Sequence, residues 1–199
     1  MLLSACSEVE VARSAYRVQP QDTLYSIAWR FGLNYRDLAR WNGIGEDFRI
    51  SVGQVLLLSP RVPLDKPVPA VLPATLAALP VNQFSWPTVA ASAPRAVQSG
   101  GILIAGVLGQ EVRASRAGRV VYNGDGIRGY GNLIIIKHDE EYLSSYAHNR
   151  DSLVHEGETV AAGQVIAHMG EGAPHEPVLY FEIRNSGKPV DPLLLLSQK

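Results

Sequence analysis

Leu133-Ile134-Ile135-Ile136-Lys137-His138-Asp139-Glu140-Glu141-Tyr142-Leu143-Ser144-Ser145-Tyr146-Ala147-His148 decides how the second half of this chain folds. The apolar run Leu133–Ile136 is strand-like, Asp139-Glu140-Glu141 supplies a turn, and Tyr142 to Tyr146 returns beside it, so the segment is predicted to be a β-hairpin. The same grammar continues on both sides. Gly109-Gln110-Glu111-Val112-Arg113-Ala114 and Gly157-Glu158-Thr159-Val160-Ala161-Ala162 echo one another. Each leads through glycine to a β-rich run, Arg119-Val120-Val121-Tyr122 and Gln164-Val165-Ile166-Ala167. Further on, alternation places Val178, Tyr180, Glu182 and Arg184 on one face of a strand, and Tyr146 with His148 on one face of the hairpin.

The first quarter obeys a different period. Tyr16-Arg17-Val18 is short and extended, after which Asp22 or Thr23 can cap a helix carrying Leu24, Ile27, Ala28 and Phe31 in one apolar stripe. Gly32 ends that helix, Asn34 can cap the next, Leu38 and Trp41 give its buried face, and Asn42-Gly43 turns the chain. Val52-Gly53-Gln54-Val55-Leu56-Leu57 supplies a closing strand. The expected order is strand, helix, helix, strand.

Composition bounds what such a chain can do. With 199 residues and 46% hydrophobic residues there is room for one or two domains with real cores. Net charge is −1 with no basic run to follow a phosphate backbone, so nucleic acid is not expected as a partner. No stretch approaches the roughly 20 apolar residues that cross a bilayer. Between the two patterned regions, six prolines from Pro60 to Pro80 remove donors and favour extended backbone, which predicts a semi-rigid spacer letting one domain hold a surface while the other searches nearby. The organisation expected is a leader region at 1–15, a first domain at 16–60, a linker at 61–85 and a second domain at 86–199.

The motifs of residues 16–60 resemble the LysM module: Tyr16-x-Val18, Asp22-Thr23-Leu24-x-x-Ile27-Ala28, Trp41-Asn42-x-Ile44 and Gly53-Gln54-x-Leu56 follow in order. Gln21 stands where that family usually has glycine, a change expected to alter the loop more than the fold. The resemblance implies binding of N-acetylglucosamine-containing glycans, peptidoglycan above all. The sugar would lie between the Asp22-Thr23-Leu24 and Asn42-Gly43-Ile44 loops. The same Asp22, Thr23 and Asn42 also read as caps and turn formers.

From Gly101 to Pro192 the chain is similar to a LytM-type domain of the M23 metallopeptidase family. The implied fold class is an α+β LysM module, βααβ, followed by a mainly β domain of antiparallel sheets arranged as a barrel-like sandwich. Active members hold zinc with a His-x-Gly-x-Asp motif and the second His of a late His-x-His. Here the first motif reads Ser99-Gly100-Gly101-Ile102-Leu103 and the late pair Val178-Leu179-Tyr180; only Tyr146-Ala147-His148 survives. A catalytic zinc needs three nitrogen, sulfur or carboxylate ligands, and Leu103 has no lone pair while Ser99 and Tyr180 offer neutral hydroxyls. No metal and no cofactor are therefore expected, and His148 is read as vestigial. His175 sits three residues too early to replace the lost pair and reads as a loop histidine. The echo of Gly109 and Gly157 also occurs in biotin and lipoyl carriers, but their lysine between two methionines is missing.

A LysM module, a proline-rich spacer and a LytM domain without its ligands together resemble bacterial murein hydrolase activators of the NlpD and EnvC type. That resemblance implies a groove, lined here by Tyr130, Tyr146, His148, Val178, Tyr180 and Arg184, that engages a zinc-dependent N-acetylmuramyl-L-alanine amidase of the periplasm. Septal peptidoglycan splitting and daughter-cell separation would follow. Pro87 to Gly100 departs from the pattern by lacking the usual opening strand signal. Leu3-Ser4-Ala5-Cys6 resembles a lipobox, which makes Cys6 the expected lipidation site of an outer-membrane lipoprotein of a Gram-negative bacterium. Membrane contact would run only through that anchor. Met1–Ala5 is shorter than a signal peptide requires, so either the true start lies upstream or the match is accidental and Cys6 is an ordinary free thiol, the lipobox being the reading preferred. Two alternatives stay open: an inert wall-binding scaffold, and a zinc endopeptidase using other ligands.

Overall fold

In a computed structural model of the chain, residues 15–60 and 84–197 are described. Cys6 and linker residues 61–83 lie outside the described residues. The first unit runs β1 (Ala15–Arg17), α1 (Leu24–Phe31), α2 (Tyr35–Asn42) and β2 (Val55–Leu57), with β1 and β2 antiparallel. Both helices start and stop where their side chains dictate. Thr23 accepts from the Ser26 amide while Ser26 Oγ accepts from the Thr23 amide, a reciprocal cap that satisfies two donors at the start of α1. Asn34 Oδ1 accepts from the Arg36 amide to open α2, and Gly32 and Gly43 close the helices in the left-handed conformation. The closing strand begins at Val55 rather than Val52, because Val52-Gly53 forms the turn before it. Gln21, expected to alter the loop more than the fold, adopts a left-handed φ of 68° in the loop before α1.

The second unit is almost entirely β. Its strands are β3 (Arg95–Ala96), β4 (Ile102–Ala105), β5 (Glu111–Arg113), β6 (Gly118–Gly124), β7 (Asn132–Lys137), β8 (Tyr142–Ser152), β9 (Thr159–Val160), β10 (Val165–Met169), β11 (Glu171–Gly172), β12 (Glu176–Asn185) and β13 (Lys188–Val190), before a short α3 (Pro192–Leu195). The main sheet is ordered β3-β4-β12-β8-β7-β6-β9 and every strand pairing in it is antiparallel. The hairpin read from the sequence is β7–β8. The weak opening segment supplies only the two-residue β3. The two echoing segments exchange partners: β5, from the first, pairs with β10, and β9, from the second, pairs with β6. The second unit begins earlier than expected, since the Phe84 amide bonds the Leu195 carbonyl and the Ser85 amide the Ser115 carbonyl.

One core fills the second unit, with Ile102, Ile104, Val120, Ile134, Ile136, Tyr146, Phe181 and Ile183 all buried in it. The opposite face of the same sheet is buried as well. Val121, Leu133, Ile135, Leu143 and Ala147 pack in one continuous cluster with Leu24, Ile27, Trp29, Tyr35 and Leu38 of the first unit. The two units are therefore docked face to face, which corrects the expectation of a free module on a tether. Sealing a side chain of this size adds about 1.5–3 kcal/mol each, so a second buried face is a substantial stabilisation. The docking also explains a reversal in α1. Phe31, on the expected stripe, is 41% exposed, and Trp29, off it, is 2% exposed because the second unit covers it.

Polar contacts lock the joint. Thr23 Oγ1 donates to the Val121 carbonyl at 3.1 Å, Arg30 to the Gly126 carbonyl at 3.0 Å, and Arg36 pairs with Glu140. Gly187, with a φ of 83°, lies so close to the first unit that a Cβ there would sit 2.6 Å from the Asn34 nitrogen.

Candidate functional site

Strand β12 organises the site. Its alternation sends Leu179, Phe181 and Ile183 into the core and leaves Tyr180, Glu182 and Arg184 on the face that meets the first unit. Tyr180 is directly opposite Leu103 on β4 and Ala147 on β8. Ser99 Oγ lies 3.0 Å from the Tyr180 hydroxyl. Of the three positions expected from the resemblance, Ser99 and Leu103 thus each adjoin Tyr180, one through its hydroxyl and one across the strand pairing.

The hydroxyl is engaged further. Tyr180 donates to Glu182 Oε2, Arg184 Nε donates to Glu182 Oε1 at 2.6 Å, and Arg184 donates on to the Trp29 carbonyl at 2.8 Å. This chain runs from Ser99 through Tyr180, Glu182 and Arg184 into the first unit. Glu182 is fully buried, and its two oxygens are held by a phenol and a guanidinium as a buried carboxylate requires. Burial, then the neighbouring Glu182 charge, pushes the Tyr180 phenol far above its ordinary range, so it stays protonated as a donor.

His148 and Tyr146 part company. Tyr146 pairs across the ladder with Phe181 rather than Tyr180, is fully buried, and its hydroxyl accepts from the Ser115 amide at 2.8 Å. Tyr146 is therefore a core residue and not part of the groove, against the parity argument. His148 escapes the same fate because its φ of 63° breaks the strand alternation and turns the ring to the Tyr180 side, 6.4 Å away between centroids. Burial lowers the His148 pKa, keeping the imidazole neutral. Tyr130 completes the wall, edge-on to Tyr180 at 5.3 Å. Val178 is buried two residues before Tyr180 on the same strand. His175 is an exposed turn residue 3.4 Å from Glu171.

The donors gathered here do not fit a zinc ion. Around Tyr180 stand one imidazole, neutral hydroxyls and a carboxylate already paired to Arg184. Among the described residues no group of three or more His, Cys, Asp or Glu side chains could hold a metal ion.

The candidate glycan residues divide. Leu24 is 1% exposed and belongs to the core, which removes it from any sugar surface. Asp22 accepts from the Tyr16 hydroxyl, the Gln19 amide and Arg30, and Asn42 bonds the Leu38 and Leu57 carbonyls and the Leu57 amide. Their side chains are occupied in closing loops. Thr23 caps α1 and Gly43 ends α2, while Ile44 packs on the core. Asp22 and Thr23 do border a cleft of about 650 Å³, but facing residues 46–50 rather than Asn42–Ile44. Its far wall is the second unit, with Arg119, Lys137 and Glu156. That wall is invisible to a reading that treats the module alone.

Residues 16–59 match the LysM domain and residues 97–192 match Peptidase family M23. The chain is 39% identical over 98% of its length to a lipoprotein NlpD/LppB homolog of Pseudomonas aeruginosa, covering 81% of that protein. It is 34% identical over 94% of its length to the murein hydrolase activator NlpD of Escherichia coli, covering 68% of it, and 37% identical over 98% to the lipoprotein YgeR of the same organism, covering 88%. Among solved structures, an M23-family protein of P. aeruginosa overlays 62% of this chain and 51% of its own at a TM-score of 0.52 and 22% identity. Csd3 of Helicobacter pylori overlays 60% of this chain and 34% of its own at 0.51 and 24% identity. These two likenesses concern the fold.

Proposed function

The chain belongs to the NlpD/LppB family, in which a LysM domain precedes an M23 domain, and from that premise we propose that it is a non-catalytic activator of a murein hydrolase. The hydrolase is a zinc-dependent N-acetylmuramyl-L-alanine amidase of the periplasm, and the process served is septal peptidoglycan splitting. The observation that carries this reading is the network Ser99–Tyr180–Glu182–Arg184. Its side chains hold each other where the resemblance puts metal ligands, at Ser99 and Tyr180, and Tyr130 and His148 stand beside it as a recognition wall. Tyr and Arg are the residue types favoured where proteins bind proteins.

Peptidoglycan binding by the first unit is supported by the LysM match and by the cleft beside Asp22 and Thr23. Since Asp22 and Asn42 have their side chains engaged, acetamido groups would be met by backbone amides and by the 46–50 loop. Cys6 remains the candidate anchor to the outer membrane of a Gram-negative envelope, in keeping with the lipoprotein names of the relatives. No helix among the described residues is long and apolar enough to span a membrane.

Dye release from labelled peptidoglycan tests the proposal. The purified chain alone should release nothing, an amidase alone little, and the two together much more. Release by the chain alone that a chelator abolishes would revive the peptidase, and an amidase indifferent to the chain would leave only the wall-binding scaffold.

A further inference from the structure

Where α1 meets the β6–β7 loop and the end of β12, a cavity of about 510 Å³ opens beside the Tyr180 wall. It is lined by Arg30 of the first unit and Arg128 and Arg184 of the second, with Trp29, Ile127 and Tyr130 between them, and no carboxylate is among its lining residues. The acids closest in the bonding network are already engaged. Asp22 receives Tyr16, the Gln19 amide and Arg30, and Glu182 receives Tyr180 and Arg184. Arg128 has no ion-pair partner among the described residues and is exposed, so one of the three guanidinium groups in the lining carries no bonded carboxylate. A guanidinium offers five N–H donors, so Arg30 and Arg184 keep donors beyond their present bonds. The Trp29 indole N–H is also buried without an acceptor among the described residues.

We infer that this junction cavity is a carboxylate-recognition site that takes an acidic side chain from the docking segment of the partner hydrolase. The inference rests on the activator reading above. It commits to a protein segment because the cavity is continuous with the Tyr180 wall: Tyr130 borders both, and Arg184 follows Tyr180 by four residues on one strand face, a distance of about 13 Å. A segment lying along β12 would bring one acidic residue to the three arginines while an apolar neighbour rests on Tyr130 and Ile127. Planar, two-point capture of carboxylate is what arginine geometry favours. The site exists only when the units are docked, because Arg30 comes from one and Arg128 from the other. The LysM module then contributes to hydrolase recognition as well as to the wall.

Arg128 is the residue to change, since it is exposed and among the described residues makes no hydrogen bond or ion pair. Full-length wild type, Arg128→Glu and Arg128→Lys would each be titrated with the purified amidase of the activation assay. They would also be titrated with fluorescein-labelled acetyl-Leu-Glu-Glu-Leu-amide and its Leu-Gln-Gln-Leu counterpart. Arg128→Glu should weaken amidase binding about tenfold, Arg128→Lys less than about threefold, and the Glu peptide should bind about tenfold better than the Gln peptide. Amidase binding by Arg128→Glu equal to that of wild type overturns the inference while the activator reading stands. If wild type neither binds nor activates the amidase, the activator reading fails, and equal affinity for the two peptides then overturns the cavity assignment too. Displacement of the Glu peptide by a muropeptide at lower concentration than by the amidase assigns the carboxylate to the wall and overturns the inference.

Discussion

Arg184 lies over Trp29, its guanidinium carbon 3.8 Å from the ring centre, and donates to the Trp29 carbonyl at 2.8 Å across 155 positions of sequence. The same guanidinium balances Glu182, which has no exposure to solvent. One side chain thus closes the buried charge of the second unit and clasps the first. Replacing it by alanine leaves a buried carboxylate with only a phenol, which costs about 3–5 kcal/mol. Arg184→Lys should fall between wild type and Arg184→Ala, because an ammonium keeps the charge but cannot hold the Glu182 carboxylate and the Trp29 carbonyl from one planar group. Urea denaturation measures both; a loss below about 1 kcal/mol for Arg184→Ala would show that Glu182 finds other partners.

Stability should fall in mild acid through His138. Its Nδ1 donates to the Ala117 carbonyl at 2.9 Å and its Nε2 is 2.7 Å from Ser144 Oγ, and burial pushes its pKa down to about 4. The unfolded chain, with a histidine near 6.5, binds the proton more readily than the folded one. Stability is therefore fully present above about pH 6.5 and is lost as pH falls towards about 4, by up to about 3 kcal/mol. The slope of unfolding free energy against pH over that window should flatten in His138→Gln. An unchanged slope would assign the acid sensitivity elsewhere.

Gln21 holds a φ of 68°, in the left-handed region that glycine adopts most readily. A non-glycine residue in the left-handed region carries about 1–2 kcal/mol of strain, partly offset because glycine gains more freedom in the unfolded chain. Gln21→Gly is expected to raise stability by about 0.5–1 kcal/mol without altering peptidoglycan binding. A lower thermal midpoint in calorimetry would refute the strain.

Gly187 tests the docking of the two units. A Cβ at this position would meet the Asn34 backbone at 2.6 Å, and its φ of 83° disfavours any side chain. Gly187→Val should cost about 1–3 kcal/mol and push the units apart. Small-angle scattering would then report a larger radius of gyration for the variant, and an unchanged radius would argue against the docked arrangement.

The ligand positions can be refilled. Ser99→His, Leu103→Asp and Tyr180→His together would supply two nitrogens and a carboxylate around one position, since Ser99 and Leu103 each adjoin Tyr180. The triple variant should retain about one zinc per chain after dialysis, measured by mass spectrometry, and wild type none. Stoichiometric zinc in wild type would defeat the account of the site.

Much of this was legible in the chain. The first cap, narrowed to Asp22 or Thr23, the cap Asn34, the stops Gly32 and Gly43 and the hairpin at Leu133 to Tyr146 were readable because each depends on neighbours a few residues away. The parity of β12 was readable for the same reason. Tyr146 was placed on the wrong face, while His148 does reach the groove side, because one left-handed residue, His148, reverses the alternation, and nothing in Tyr-Ala-His announces that turn. One signal was present and missed. Leu133–Ile136 is apolar at every position, and an antiparallel strand with one wet face should alternate, so the run already required a cover on both sides. What supplied the cover, the burial of Trp29 and the meeting of Arg30 with Arg128 depend on residues roughly a hundred positions apart. No local pattern encodes that.

The shared cluster that joins Leu133, Ile135 and Leu143 to Trp29 and Leu38 has an evolutionary consequence. Domains strung on a flexible thread can be shuffled between genes, because neither surface remembers its neighbour. Here each module carries half of a common apolar seam. Grafting a foreign wall-binding module before Phe84 would leave Leu133, Ile135 and Leu143 wet and invite aggregation, so the pair is expected to be inherited as one piece and to change by matched substitutions across the seam.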